Sequence, residues 1–187
     1  MARMEGVGPA RRSLITELLL WGIRRRLGRL SETWPIVAHR PGILRWWGAF
    51  EMALQRSRLV DEKLKTLAQL KVSALVGCEA CLDFHAADGR RHGVSDQQLR
   101  SLATYEQSDA FSELEKAVLD YAVAMTRTPA NVPVEVFRRV RESFDEGQMV
   151  ELTIAIAQEN FRARFNRPFG IRAAGFSEGA YCPVPEA

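Results

Sequence analysis

The sequence predicts an all-α fold, and three observations support that prediction. Apolar residues recur at helical spacing along most of the 187 residues, whereas the alternating β-branched runs typical of strands are absent. Residues 95–98 (SDQQ) and 112–115 (SELE) have the capping-box pattern that starts helices. Glycines and prolines separate the periodic stretches. With 47% apolar and 26% charged residues, the chain is long enough to bury a core without disulfides.

The first two predicted helices form an N-terminal extension, residues 1–60. A helix over about 13–30 carries an apolar stripe, and a proline-containing connector leads to a second helix over about 43–55. All four tryptophans lie in this extension, where large aromatic side chains usually form core or subunit contacts. We expect the extension to cover the core helices or to enlarge a subunit interface, with Trp46 and Trp47 as candidate contacts. The apolar stripe of the first helix consists of Leu14, Leu18, Trp21 and Ile23.

The remaining helices form a core over residues 61–170, followed by a tail over 171–187. Gly77 ends the first core helix, and Gly89 and Gly93 mark the end of the next. Pro168 is expected to break the last long helix. The predicted core helices cover about 61–76, 78–89, 95–104, 112–126, 133–144 and 145–166.

The positive charge of the chain is concentrated near its start. Residues 1–46 contain nine arginines and three glutamates, a net charge of +6, so the remainder carries −3. A nucleic-acid or membrane patch is one interpretation. We favour a solvated helix face, because the lysines and interleaved aromatics of a nucleic-acid groove are missing. No stretch approaches the eighteen apolar residues of a membrane span and no cleavage site follows the first helix, so we expect a cytoplasmic protein.

The strongest functional signal is the stretch LVGCEACLDFHAADG, which contains Cys78, Cys81 and His85. On a helix, positions i, i+3 and i+7 share one face. A helix that begins near Cys78 places unpaired N–H groups and the positive end of its dipole beside the thiol, which stabilises the thiolate. The two thiols can cycle between dithiol and disulfide, while His85 acts as a base or carries a proton between the sulfurs.

Other interpretations of this stretch stay open. Three cysteines form no disulfide framework, so we expect a reducing compartment, where a CxxC is usually catalytic or metal-binding. Zinc could use His92 as a fourth ligand, but the spacing Cys-x2-Cys-x3-His-x6-His is not a usual zinc spacing. Haem attachment requires a histidine directly after the second cysteine, where Leu82 stands. The plainest interpretation is two buried cysteines and a core histidine.

Residues 61–100, which surround this stretch, resemble the core motif of the alkylhydroperoxidase-D-like proteins in the carboxymuconolactone decarboxylase superfamily. The shared pattern is a helix ending in Gly-Cys, a second cysteine after two residues, a histidine after three more, then a glycine and a capping box. The segments SELEKAVLDYAVAMTRTP and ELTIAIAQENFRARFN are also similar to that superfamily. The resemblance implies an all-helical multi-helix bundle that assembles into homo-oligomers.

The resemblance also implies roles for the three residues. Cys81 matches the peroxidatic cysteine, Cys78 matches the resolving cysteine that exchanges with an external dithiol such as a lipoylated protein, and His85 matches the relay histidine. No metal or organic cofactor is implied. The family's glutamate twelve residues before the first cysteine is replaced by Thr66, and a histidine that can precede the second cysteine is replaced by Ala80. Two nearby residues could substitute for the missing glutamate in the proton relay: Glu62, one turn before Thr66, and Glu79, adjacent to Cys78.

We therefore expect a thiol-dependent oxidoreductase that reduces peroxides, with the substrate entering an apolar pocket near Phe84. A hydroperoxide and an external dithiol are the expected partners, and neither a membrane nor a nucleic acid is expected. One alternative is a cofactor-free decarboxylase or related lyase, whose branch of the superfamily does not need the CxxC. The other is a non-enzymatic, redox-sensing helical oligomer. The sequence assigns no role to Cys182.

Overall fold

The structure is a computed structural model that describes residues 2–186, and all regular structure within that stretch is helical. The all-α prediction is therefore confirmed. Short 3₁₀ turns lie at Pro9–Arg11 and Leu102–Gln107. The α-helices are α1 (Leu14–Leu27), α2 (Thr33–Val37), α3 (Pro41–Arg56), α4 (Glu62–Val76), α5 (Glu79–Arg91), α6 (Asp96–Arg100), α7 (Glu113–Thr126), α8 (Val134–Arg141) and α9 (Glu146–Phe169).

Helix α4 lies at the centre of the fold and packs against α5, α7 and α9. Its side chains divide between two apolar clusters. Ala68 and Val72 face α7, α8 and α9, whereas Leu67 and Leu70 face α5, α6 and α7. All four are fully buried. The carboxylate of Asp61 caps its N-terminus and a left-handed glycine ends it, as the sequence indicated.

Both capping boxes expected from the sequence are present, at the starts of α6 and α7. Two helix ends differ from expectation. Gly89 lies inside α5, which continues to Arg91. A Cβ at position 89 would come within 3.1 Å of Val94 and 3.2 Å of Thr66, so only a glycine fits there without displacing these side chains. The glycine thus allows α5 to approach α4 closely. Helix α9 continues through Pro168 and ends at Gly170, which has a φ of 62°.

The N-terminal extension packs on α9 through Trp47. The ring of Trp47 lies 4.7 Å from that of Phe161 and 5.1 Å from that of Phe165, and only 5% of its surface is exposed. Trp47 is therefore a core residue rather than a subunit contact, in agreement with the expected alternative that the extension covers the core helices. Trp46 is 78% exposed and remains available for that role. The connector before α3, expected to be irregular, contains the short helix α2.

Helix α1 meets the rest of the chain through few side chains. Its buried residues are Thr16 and Leu20, and Leu20 joins a small apolar cluster with residues of α2 and α3. Most of the predicted stripe is exposed instead, with Leu14 at 86%, Leu18 at 66% and Trp21 at 57%. Within residues 2–186, no helix is both long and apolar enough to cross a membrane.

The C-terminal tail is irregular but anchored. The buried carboxylate of Asp83, on α5, accepts hydrogen bonds from the backbone N–H groups of Ala174, Phe176 and Ser177 at 2.7–2.9 Å. Further along, the ammonium of Lys71 lies 2.6 Å from Glu186. These contacts hold the tail against α5 and α4, and they place Phe176 beside the cysteine-bearing turn.

A buried carboxylate joins α9 to the junction of α3 and α4. Glu151 accepts hydrogen bonds from Lys65 Nζ at 2.7 Å, from Ser57 and from the N–H groups of Leu59 and Val60. Burial alone would raise the pKa of Glu151, but these donors lower it to about 2. Because the folded-state pKa lies below the ordinary 4.5, the ionised form stabilises the fold above that pH. The contribution is lost as the pH falls towards 2.

We therefore expect Glu151→Gln to lower the free energy of unfolding at pH 7 by about 2–3 kcal/mol, because it leaves the buried ammonium of Lys65 poorly paired. Urea unfolding followed between pH 7 and pH 3 measures the difference, which should shrink below pH 4.5. The control is Glu142→Gln, since that carboxylate pairs with Arg138 on the exposed surface. A pH-independent difference for Glu151→Gln would contradict the assignment.

Candidate active site

The cysteine pair lies at the start of α5. Cys78 is the N-cap residue, preceded by the left-handed Gly77, and Cys81 lies in the first turn. Their Cα atoms are 5.3 Å apart and their Sγ atoms are adjacent, near the distance of a disulfide bond. The N–H of Cys81 donates to Sγ of Cys78 at 3.3 Å. The helix terminus thus directs a backbone donor at the first sulfur, as a stabilised thiolate requires.

An amide from α9 contacts both sulfurs. Nδ2 of Asn166 lies 3.6 Å from Sγ of Cys78 and 3.4 Å from Sγ of Cys81. The hydroxyl of Thr33 donates to Oδ1 of Asn166 at 2.9 Å, which fixes the amide with its NH₂ group towards the sulfurs. All four residues are buried. This donor was not anticipated from the sequence.

His85 lies two turns along α5 from the N-cap and is buried against a carboxylate. Nε2 of His85 is 2.8 Å from Oε2 of Glu159, whose other oxygen accepts from Ser73 at 2.8 Å. Nη1 of Arg162 donates to the same carboxylate at 2.9 Å. The carboxylate beside the histidine therefore comes from α9, from a residue that the sequence analysis did not single out.

The residues considered as substitutes for the family's glutamate have other contacts. Glu62 pairs with Lys65 at 2.9 Å, and Glu79 is exposed. Thr66, at the motif position, donates to the carbonyl of Glu62 within its own helix at 2.7 Å. Neither Glu62 nor Glu79 reaches the imidazole of His85, so the expectation that one of them supplies its carboxylate is wrong.

The groups around His85 indicate which of its two ring nitrogens carries the proton. Burial alone would raise the pKa of Glu159, but the nearby His85 and Arg162 and the hydrogen bonds from His85 and Ser73 hold it below its ordinary value. The carboxylate is therefore ionised and can only accept, so its shorter contact of 2.8 Å assigns the proton to Nε2 of His85, although Nη1 of Arg162 also lies 3.1 Å from that nitrogen. Nδ1 is buried and has no hydrogen-bond partner within the described part of the chain. In the neutral ring, Nδ1 is the free base.

Arg162 connects this group to the N-terminal extension. Its Nη2 and Nε donate to Glu51 on α3 at 2.6 and 3.2 Å, and Trp47 Nε1 donates to the same carboxylate at 2.8 Å. Gln158 also donates to Glu51. Burial would lower the pKa of Arg162, but Glu51 and Glu159 raise it above its ordinary value. The guanidinium is thus a permanent cation between two carboxylates.

The residues of α9 that face the site follow the same spacing as those of α5. Glu159, Arg162 and Asn166 stand at i, i+3 and i+7, as do Cys78, Cys81 and His85. Two polar faces therefore meet inside an otherwise apolar interior. The polar positions on the buried face of α9 were the available sequence signal, because a charged residue at a core position is uncommon unless it is paired.

Two cavities meet at this group. An apolar cavity of about 340 Å³ reaches Cys81, and a polar cavity of about 600 Å³ reaches His85. Glu51, Phe84 and Arg162 line both. Cys78 lines neither cavity. Of the two sulfurs, the one from Cys81 therefore faces the space that a substrate could occupy.

The remaining candidate ligands do not contact the cysteines, although His92 lines the polar cavity with His85. His92 is near Asp88 at the far end of α5, 3.5 Å away. No group of three or more histidine, cysteine or acidic side chains suited to a metal ion occurs among residues 2–186. Cys182 is half-buried in the tail, and burial together with Asp83 raises the pKa of its thiol to about 11. It is thus a weakly acidic thiol outside the site.

Fold and site together define a helical protein with a paired CxxC at a helix N-terminus. The sequence profile of the carboxymuconolactone decarboxylase family matches residues 41–124. The uncharacterized protein YdfG of Bacillus subtilis is 35% identical over 116 residues, which cover 62% of this chain and 79% of that protein. YnjA of Escherichia coli is 30% identical over 154 residues, 76% of this chain and 82% of that protein. The chain belongs to the carboxymuconolactone decarboxylase family.

Solved structures agree on the fold. The debrominase Bmp8 superposes with a TM-score of 0.80 over 91% of both chains, at 20% identity. An uncharacterized peroxidase-related protein from Ralstonia eutropha, described as an alkylhydroperoxidase AhpD core, superposes with a TM-score of 0.79 over 92% of both chains, at 19% identity. The chain therefore has the alkylhydroperoxidase-D-like fold.

The contacts of Asn166 generate a prediction about thiol reactivity. In the reduced protein, Asn166→Ala should move the pH midpoint of alkylation by iodoacetamide upward by about one unit. A hydrogen bond to a charged group is worth about 1.5 kcal/mol, which corresponds to roughly that shift. The measurement is the rate of alkylation at Cys78 and Cys81 as a function of pH, read by mass spectrometry.

The matched control is Asn160→Ala on the same helix. Asn160 donates to Thr126 and to its own helix, and it lies away from the sulfurs. Its removal should leave the alkylation midpoint at the wild-type value. If both variants moved the midpoint equally, the amide of Asn166 would have no special role at the thiols.

Proposed function

We propose that the protein reduces hydroperoxides through a dithiol–disulfide cycle of Cys78 and Cys81. The observation that carries the proposal is the arrangement of the pair: adjacent sulfurs at a helix N-terminus, an amide donor on both, and a buried His85–Glu159 pair one turn beyond Cys81. A thiol peroxidase requires a stabilised thiolate, a base and a second thiol.

In the first step Cys81 is the nucleophile, because its sulfur faces the apolar cavity. Nδ1 of His85, which makes no hydrogen bond within residues 2–186, takes the thiol proton through one water molecule or through the bound hydroperoxide, and Glu159 stabilises the resulting imidazolium. The thiolate attacks the terminal oxygen of the hydroperoxide, the O–O bond breaks, and Cys81 becomes a sulfenic acid. The alkoxide leaves as an alcohol after receiving the proton from His85.

In the second step Cys78 resolves the sulfenic acid. Its thiolate attacks Sγ of Cys81, the S–S bond forms, and hydroxide leaves as water after protonation. The Cα separation of 5.3 Å suits a disulfide, so the pair needs no rearrangement of α5. The amide of Asn166 contacts both sulfurs and can donate to whichever one is the anion.

An external dithiol then restores the pair, and the burial of the sulfurs favours one point of attack. The resemblance gives Cys78 the exchange with the reductant, yet Cys78 is buried and lines neither cavity. We propose that the dithiol enters by the apolar cavity and attacks Sγ of Cys81. Cys78 leaves as a thiol, and the second thiol of the reductant then releases Cys81 while forming its own disulfide.

The direct test is thiol labelling with mass readout, before and after one equivalent of an organic hydroperoxide. We expect rapid loss of two labels, at Cys78 and Cys81, and no loss of the label on Cys182. Cys81→Ser should abolish the reaction, whereas Cys182→Ser, the matched control, should leave it unchanged. Slow or absent oxidation of both thiols would contradict the proposal.

The alternatives predict other outcomes. A lyase acting on a small acid would keep its activity in the Cys78→Ser, Cys81→Ser double variant, since it does not need the thiols. A redox-sensing oligomer would form the disulfide slowly and would change its partner or assembly on oxidation. The rate of disulfide formation, and whether it depends on Cys81, distinguishes a peroxidase from both the lyase and the redox-sensing oligomer.

The buried carboxylate generates a prediction about rate. Glu159→Gln should slow disulfide formation by about 10²-fold, because the imidazolium of His85 loses its counter-charge. His85→Asn should slow it at least as much, and the double variant should be no slower than His85→Asn alone, since the two residues act as one unit. Stopped-flow measurement of a single turnover gives these rates.

The matched control for the carboxylate is Glu115→Gln. Glu115 is also buried and is held by Lys63 and Gln98, but it lies at the start of α7, away from the cysteines. Its replacement should leave the single-turnover rate unchanged. Fully additive losses for His85→Asn and Glu159→Gln would show that the two residues act separately, against the proposed relay.

A further inference from the structure

The apolar cavity over Cys81 differs sharply between its floor and its rim. The floor is formed by buried side chains, which include Leu44, Trp47, Ala80 and Cys81. The exposed lining residues mark the rim, where Arg26 of α1 and Arg45 of α3 stand beside apolar side chains and Gln55. The space thus runs from a positively charged, solvent-facing rim to a mostly apolar floor, where Cys81 lies near Arg162 and Asn166.

The two rim arginines have no acidic partner of their own. Arg12, Arg29 and Arg90 each contact a carboxylate on the surface, whereas Arg26 and Arg45 pair with no carboxylate of residues 2–186. The acidic side chain that lines the cavity is Glu51, and it is already held by Arg162 and Trp47. The rim therefore presents two guanidinium groups without an ion pair, of which Arg26 also lines the polar cavity together with Asp61, Glu62 and Asp88.

The size and lining of the cavity limit what could fill it. At about 30 Å³ for each small group, 340 Å³ holds on the order of ten non-hydrogen atoms, at the lower end for ligand pockets. Hydrogen peroxide is far smaller and gains nothing from aromatic walls such as Trp34, Phe84 and Phe176. An apolar body of about ten atoms gains stability by leaving water.

We propose, resting on the peroxide reduction proposed above, that the substrate is the hydroperoxide of an apolar carboxylic acid. Its hydrocarbon part fills the cavity and its peroxide group reaches Cys81, while its carboxylate stays at the rim against Arg26 and Arg45. The two arginines orient the molecule, because the opposite orientation would bring its carboxylate towards Glu51, whose partner Arg162 is already shared with Glu159. The chemistry at Cys81 is unchanged, and the product is the corresponding hydroxy acid.

The kinetic test compares two molecules with the same hydrocarbon part, the terminal hydroperoxide of decanoic acid and its methyl ester, which adds a methyl group and removes the negative charge. The acid should show the larger kcat/KM, and moderate salt should reduce its advantage. Arg26→Gln and Arg45→Gln should each lower the acid-to-ester ratio of kcat/KM about two- to fivefold, and together about tenfold. The matched control is Arg24→Gln, an exposed arginine of α1 outside the cavity, which should leave the ratio unchanged.

A binding test needs no turnover. Trp34 and Trp47 line the cavity, so decanoate should change the tryptophan fluorescence of the oxidised protein at lower concentration than decanol. The preference should disappear in the double arginine variant. Equal binding of decanoate and decanol, or an acid-to-ester ratio unaffected by either arginine, would overturn the inference.

The two proposals fail in different ways. If neither hydroperoxide oxidised the thiols, peroxide reduction would be wrong, and the binding test alone would decide whether the cavity takes an apolar anion. If both oxidised the thiols equally fast and decanoate had no advantage over decanol, peroxide reduction would stand and the assignment of the substrate class would be wrong.

Discussion

The buried carboxylate of Glu159 is the interaction on which the site depends. It accepts from Ser73 on α4, from His85 on α5 and from Arg162 on its own helix, and no part of it is exposed. An isolated carboxylate at this depth would be strongly destabilising, so its donors are obligatory rather than optional. The same requirement that keeps the fold intact therefore fixes the imidazole of His85.

This requirement extends to the N-terminal extension. Arg162 satisfies Glu159 on one side and Glu51 on the other, and Glu51 is held in turn by Trp47. Trp47 therefore takes part both in the aromatic packing on α9 and, through Glu51, in the hydrogen bonding of Arg162. The extension is connected to the chemistry through a continuous series of hydrogen bonds.

The sequence allowed the helices to be predicted where their ends carry local signals, such as the capping boxes at Ser95 and Ser112. It also indicated Cys78, Cys81 and His85, because three residues on one helix face can be recognised from spacing alone. Glu159 and Asn166 could not be assigned in this way. Their contacts join helices more than seventy residues apart, and nothing local specifies which helix will lie opposite α5. Gly89 was misjudged for the same reason, since its role depends on close packing against Thr66.

One wall of the apolar cavity is formed by Phe176, a residue of the irregular tail, and this segment is held to the helices by Asp83. Three backbone N–H groups of residues 174–177 donate to the carboxylate of Asp83, and the one side chain of this segment that adds a hydrogen bond to Asp83 is that of Ser177. Backbone anchoring tolerates changes of side chain, so the residue at Phe176 can vary without loss of the anchor. The substrate range of the cavity could therefore diverge in evolution through this short segment while the cysteines, the histidine and their buried carboxylate stay the same.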